Sequence, residues 1–362
     1  MRFVIARLDW TKIVPVLALV VLAATWSGKP PVVILVVAGL FLLGSVLAAV
    51  HHAEVVAHRV GEPFGALVLA IAVTVIEVGL IVTLMVSGKG DTSTLARDTV
   101  FAAVMITCNG ILGLSLLVGA LRRRFAEFNA EGTATALATV ITLATICLVL
   151  PEFTTSRPGP EFTAGQLGFV SVASLALYFL FVFVQTVRHR DYFVPEGDDE
   201  ILEAHGEEEP TAREAISSLA LLVVALVAVV GLAKVESPAI EDLVDAIGAP
   251  QSAVGVVIAL MVLAPETLAA VRNARRDRIQ ISFNLALGSA MASIGLTIPA
   301  IAVASIWIDG PLVLGLGATQ IVLLGITAVV GALTVLPGRA TLQEGGVHLV
   351  LFGSFLFLAL SP

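Results

Sequence analysis

Charge is scarce in this sequence. Only 13% of its 362 residues are Asp, Glu, Lys or Arg, 58% are hydrophobic, and the mean hydropathy is +1.01. Soluble domains carry about a quarter charged residues, so a water-soluble globular protein is excluded and a polytopic all-α membrane protein is implied. Cysteine is nearly absent: Cys108 and Cys147 both fall inside apolar runs, which excludes a disulfide framework and leaves them as small packing residues. There is no His-Glu-x-x-His, which argues against an intramembrane metalloprotease, and no Asp-x-Asp-x-Asp-Gly of an EF-hand. The net charge of -8 is concentrated in residues 198–209, so it says little about partners, and that stretch reads as a solvated linker.

What the chain has in abundance is long apolar runs. Segments of a length that crosses the hydrocarbon core lie at roughly 12–27, 31–50, 63–88, 97–121, 134–150, 166–187, 213–234, 249–271, 281–306, 312–335 and 345–361, eleven in all. The first follows a basic start (Arg2, Arg7, Lys12); a cleaved leader is the competing reading, but the ten later spans need none to be inserted. Lys and Arg collect in cytoplasmic loops. With the N-terminus inside and the C-terminus outside, 15 of the 20 basic residues fall on the inner side, including Arg122–Arg124 and the cluster Arg272, Arg275, Arg276 and Arg278. Orientation toward anionic lipid accounts for that cluster, so nucleic-acid binding is not expected.

Within these spans two acids stand out. Glu77 is the only acid in the run 64–87, and Glu266 has a matching setting in 256–271. An ionisable group at bilayer depth costs at least about 2.5 kcal/mol, so each marks a functional position by default. Setting the first span aside (residues 1–30), five spans (31–190) and five more (212–362) flank an acidic cytoplasmic linker (191–211). An odd number of helices per group inverts the second group relative to the first, and each glutamate falls in the second helix of its group. Inverted repeats with a midplane site are a recurrent plan in secondary transporters.

Polar residues accompany the acids. Thr74 lies one turn before Glu77 on the same helical face, Asn109 interrupts an otherwise apolar span, and Ser289 and Ser293 are spaced to share a face. Pro265 removes a backbone donor just before Glu266, which leaves a carbonyl one turn earlier without its usual partner. Carboxylate, hydroxyl, amide and carbonyl oxygens suit a hard cation such as calcium or sodium better than zinc or copper.

These segments resemble the calcium/proton antiporters of the ChaA type, within the calcium/cation exchanger superfamily. The resemblance is carried by Gly61-Glu-Pro-Phe-Gly65 leading into Thr74-Val-Ile-Glu-Val78, by Pro265-Glu266, and by residues 272–280 leading into Asn284-Leu-Ala-Leu-Gly-Ser289 and 292–299. It implies one leading helix plus two inverted five-helix repeats, with Glu77 and Glu266 binding the transported cation and Asn109 and Ser289 at flanking polar positions. The superfamily pattern Gly-Asn-x-x-Glu is replaced here by Val-Thr-Val-Ile-Glu77 and Leu-Ala-Pro-Glu266, and Asn109 stands where Gly-Ser is usual. The ion is therefore left open among calcium, sodium and potassium.

The expected activity is exchange of cytoplasmic cation for external protons across the plasma (inner) membrane. It needs no cofactor beyond the transported ions, and a passive cation channel is the alternative. A membrane enzyme would need a nucleophile or metal set near Glu77, and the sequence has none there. His51, Glu54 and His58 are spaced to share a helical face and form a candidate metal or proton-sensing cluster, with His52 turned elsewhere; Glu62 marks the start of the third span. The sequence leaves open whether the protein is a homo-oligomer.

Overall fold

The computed structural model describes residues 9–26, 30–61, 64–87, 92–193, 210–246, 248–308 and 310–361. Arg2, Arg7, Lys29, Glu62, Lys89 and most of the acidic linker (194–209) lie outside the described residues. Among the described residues the regular structure is helical apart from one two-residue antiparallel pairing. In order, the helices are α1 (Trp10–Thr25), α2 (Val32–Val60), α3 (Phe64–Ser87), α4 (Leu95–Arg122), α5 (Ala130–Phe153), α6 (Ala164–Arg188), α7 (Ala212–Ala246), α8 (Ser252–Val262), α9 (Ala264–Arg275), α10 (Ile279–Ala304), α11 (Ala318–Val335) and α12 (Leu342–Leu360). Among the described residues nine helices are long and apolar enough to span a membrane, ten if α8 and α9 form one broken span; α1 is a shorter apolar helix.

Three departures from the sequence boundaries have local causes. α2 runs on to Val60 and α7 to Ala246, well past the apolar stretches expected at 31–50 and 213–234. Each continues until a glycine takes positive φ, Gly61 at 75° and Gly248 at 67°, two residues before a proline. A residue in that left-handed conformation ends a helix cheaply only if it is glycine. The span expected at 312–335 begins as helix only at Ala318. The preceding segment is extended, with Val313 donating to the Ser93 carbonyl, Gly315 to Pro160 and Leu316 to Leu148. Gly315 is required there, because a Cβ would stand 2.5 Å from Pro160 Cβ and 2.9 Å from the Glu152 nitrogen.

The chain divides into two compact units, Met1–Ser87 with Glu209–Ile240, and Gly88–Glu208 with Glu241–Pro362. In the first, α1, α2, α3 and most of α7 pack through small residues. A Cβ on Gly231 would fall 2.3 Å from Leu22 Cδ2, and one on Gly79 would fall 2.7 Å from Val230 Cγ2. His52 is buried, and its ring contacts Ser218 Oγ on α7 (3.3 Å) and the Thr11 carbonyl on α1 (3.0 Å). Without a hydrophobic drive between helices in lipid, close backbone approach and such interhelical hydrogen bonds hold the bundle together.

The second unit is built around α4, of which 89% of the most apolar window is buried. α8, α9, α10 and α12 pack on it. At its N-terminal half Gly255 of α8 lies so close that a Cβ would be 2.8 Å from the Thr99 nitrogen, and at its C-terminal half Gly345 of α12 leaves 2.8 Å to the Leu117 nitrogen. β1 (Ala126–Glu127) pairs with β2 (Arg339–Ala340) and ties the loop after α4 to the loop before α12. At the first turn of α4, Asp98 is 3% exposed and forms a short ion pair with Arg97 (2.8 Å). Asp98 also accepts from Thr94 Oγ1 at 2.9 Å, and Arg97 donates to the Gly315 carbonyl at 3.1 Å.

Removing one partner from such a buried pair is expected to cost about 3 kcal/mol, because the other charge is left unpaired. Asp98→Asn and Gly255→Ala should each lower the midpoint of thermal unfolding in detergent. A thiol-reactive dye can follow it, since Cys108 and Cys147 are both buried in this unit and become accessible when it opens. A surface control such as Ser354→Ala should leave the midpoint unchanged.

Candidate functional site

In the first unit, Glu77 sits midway along α3, 2% exposed, with Thr74 one turn earlier and also buried. Threonines inside helices usually return their hydroxyl to the carbonyl four residues back. In this protein Thr25, Thr99, Thr107, Thr145, Thr186, Thr267 and Thr327 all do so, at 2.7–2.8 Å. Thr74 Oγ1 does not, and it is buried with no hydrogen bond to the protein. A buried hydroxyl without a partner costs roughly 1–3 kcal/mol, and Ser45, Ser115, Thr133 and Ser171 share that condition elsewhere among the described residues.

In the second unit, Glu266 stands in the first turn of α9, just after the chain bends by 51° between α8 and α9. The break falls at Leu263 (φ −87°, ψ 1°), with Pro265 opening the new helix and Thr267 donating to the Leu263 carbonyl at 2.7 Å. The helix is thus interrupted just before Pro265, which gives Glu266 a helix N-terminus as its setting. Broken helices of this kind expose backbone groups at membrane depth where they serve an ion.

α10 packs against α9, with Ser282 Oγ donating to the Ala270 carbonyl at 2.7 Å. Farther along α10, Ser289 Oγ is buried and makes no hydrogen bond, a condition it shares with Ser45, Ser115 and Ser171, whereas Ser282, Ser305 and Ser354 bond to carbonyls. Ser293 is 2% exposed on the same helix. Asn284 is turned to structure, donating to the Phe193 carbonyl at 2.6 Å and accepting from Gln280 at 2.9 Å.

Asn109 lies in a π-turn, Ile106–Ile111, in the middle of α4. Both ends of its amide are engaged within the second unit. Oδ1 faces His348 Nδ1 of α12 at 3.1 Å, and Nδ2 donates to Thr327 Oγ1 of α11 at 2.9 Å. His348 Nε2 in turn meets Thr334 Oγ1 of α11 at 3.1 Å. All four side chains are at most 2% exposed.

His51, Glu54 and His58 are exposed on the last turns of α2, and among the described residues no group of three or more His, Cys, Asp or Glu is placed to hold a metal ion. The residues that sequence reading missed are His348 with its threonine partners, Asp98, and Glu236, a buried acid of α7 with one carboxylate oxygen unbonded. His348 and Glu236 carry the same signal that singled out Glu77, an ionisable group in or beside an apolar run, but each lies near a span end where solvent exposure is the simpler expectation.

Residues 30–187 and 217–361 match the family described as sodium/calcium exchanger protein. The chain is 45% identical over 356 residues to y4hA of Sinorhizobium fredii, covering 98% of this chain and 96% of that protein. It is 36% identical over 352 residues to the sodium-potassium/proton antiporter ChaA of Escherichia coli, covering 95% and 94%. Among solved structures, native YfkE superposes with a TM-score of 0.70 at 16% identity over 97% of this chain and 98% of that one. The H+/Ca2+ exchanger CAX gives a TM-score of 0.70 at 18% identity, over 96% and 86%. At that identity the two structures speak for the fold. The resemblance to ChaA-type antiporters read from the sequence is borne out, and the chain belongs to the sodium/calcium exchanger family, a family of membrane transporters rather than enzymes.

Proposed function

We propose that this protein exchanges cytoplasmic cations for external protons by alternating access, with Glu77 and Glu266 as the carboxylates that take the cation and the protons in turn. The observation that carries the reading is that each of these intramembrane acids is accompanied by a buried hydroxyl, Thr74 in one unit and Ser289 in the other, with no hydrogen bond to the protein. A carboxylate cannot stay charged and unneutralised in a low dielectric, so it holds either a proton or a cation. Hydroxyl oxygens add neutral ligands of the kind hard cations prefer. Because proton and cation compete for the same oxygens, loading one on one side of the membrane releases the other, which is obligatory exchange. Asn109 enters this scheme through its hydrogen bonds to α11 and α12 rather than as a ligand.

The two-fold recurrence of a positive-φ glycine, a proline two residues later and a glutamate farther on supports the inverted-repeat plan. Glu77 follows Gly61 by 16 residues and Glu266 follows Gly248 by 18. The two additional residues fall in a half that contains the break at Leu263, which α3 lacks. The reading keeps the N-terminus in the cytoplasm and the protein in the plasma (inner) membrane, with α1 as the leading helix.

Calcium is the first ion to test. Sodium and potassium form the second reading, favoured by the 36% identity to an antiporter named for those ions. Proteoliposomes of the purified protein with an imposed proton gradient separate them: the transported ion is the one whose uptake collapses the gradient. Glu77→Gln and Glu266→Gln are each expected to abolish proton-coupled uptake without changing the thermal midpoint, and uptake surviving in either sinks the assignment. Single-channel currents without proton counter-movement would instead mark a passive channel.

The hydroxyls should act on affinity. Thr74→Val and Ser289→Ala are each expected to raise the KM for the cation about tenfold, the effect of losing roughly one good oxygen ligand, with Vmax within about twofold of wild type. Unchanged KM in both variants would return these side chains to packing.

A further inference from the structure

We propose that His348 is a positioning residue for exchange: through Asn109 and Thr327 it holds the π-turn of α4 in the shape that this helix presents to α9 and α10, the helices bearing Glu266 and Ser289. The inference rests on the exchanger reading given above and extends it to a side chain remote from the glutamates. Its basis is a chain of hydrogen bonds that has a direction. With Asn109 placed as it is, Oδ1 can only accept, so the proton of the neutral imidazole sits on Nδ1. Nε2 then accepts from the Thr334 hydroxyl. At the other end Asn109 Nδ2 donates to Thr327 Oγ1, and Thr327 passes its own proton to the Leu323 carbonyl at 2.7 Å. The sequence of donors is therefore Thr334, His348, Asn109, Thr327 and finally the backbone of α11.

Such a network is costly to leave incomplete in a site that excludes water. It is also placed where it can matter. The π-turn Ile106–Ile111 packs against α12 and α11 on one side and against α9 and α10 on another. A π-turn is an α-helix carrying one residue more than the ladder needs, and it persists where surrounding contacts over-determine it. Here those contacts come from α12. Phe352 lies 3.4 Å from where a Cβ on Gly110 would be, and His348 Cβ lies 3.0 Å from where one on Gly113 would be. The imidazole thus holds the turn through the Asn109 side chain, and glycines let α12 come close enough for it to do so.

The test separates positioning from bulk stability. His348→Leu keeps much of the volume and removes both hydrogen bonds, leaving Asn109 Oδ1 without its donor. Its cation KM in proton-driven uptake is expected to rise about tenfold, in the range of coupling that remote network residues exert, with Vmax within about twofold. His348→Asn restores an N–H at the δ position and should bring KM back to within about threefold of wild type, whereas His348→Gln should not. Because the residues act as a unit, the double variant His348→Leu with Thr327→Val should be no worse than the worse single one.

A His348→Leu protein with a lowered thermal midpoint but wild-type KM overturns the proposal, as does equal recovery by Asn and Gln. If His348→Leu does not yield folded protein, Thr334→Val, which loses only the outer hydrogen bond, carries the test together with His348→Asn. A KM rise in Thr334→Val that exceeds that of His348→Asn supports the directed chain reading Thr334 inward, and no change in either refutes it. Failure of the underlying function is recognised separately, since wild-type protein would then show no proton-coupled uptake of any cation.

Discussion

In a bilayer core no water is available to satisfy a polar group, so every donor and acceptor must find its partner inside the protein. That constraint shapes this chain at each level. It confines the backbone to helices, sends many helical threonines back onto their own carbonyl ladder, and pairs Arg97 with Asp98 where the chain turns into α4. It also gives meaning to the exceptions. Thr74 and Ser289 are among the few buried hydroxyls, with Ser45, Ser115, Thr133 and Ser171, that make no hydrogen bond.

The constraint explains which features could be seen in the sequence. Glu77 and Glu266 were visible because charge is so rare in their surroundings, and the break before Glu266 was visible because proline lacks the donor that a helix needs at that point. Helix lengths were less legible. Polar residues at 51–59, spaced to share a helical face, and at 234–245 lie past the apolar spans, yet α2 and α7 carry them as helix until Gly61 and Gly248 permit a left-handed turn. Hydropathy marks where a helix can be buried, while its end is decided by backbone conformation.

The polar cluster in the second unit was illegible for a different reason. Asn109 lies more than two hundred residues before Thr327, Thr334 and His348, and no spacing rule links it to them. Asn109 alone suggested a ligand. Its partners show instead that an amide inside a membrane can be spoken for by a histidine and a threonine, so a polar residue in an apolar run gives the position of a network before it gives its purpose. Leu312–Gly317 misled in the opposite sense: apolar enough for a span, it is extended because Gly315 must pass against Pro160 and Glu152.

The π-turn of α4 makes the helix two rods in one. Each residue added to or removed from an α-helix rotates everything beyond it by about 100°, so the extra residue in Ile106–Ile111 sets the facing of the C-terminal half independently of the N-terminal half. The N-terminal half is indexed by Asp98 and by the close pass of Gly255, and the C-terminal half by Gly113 and Gly345 against α12. A straight α-helix of the same composition could honour one of these registrations but not both. The insertion therefore behaves as a phase shift built into the central helix, and the length of α4, more than the identity of any single apolar residue in it, is what its neighbours are matched to.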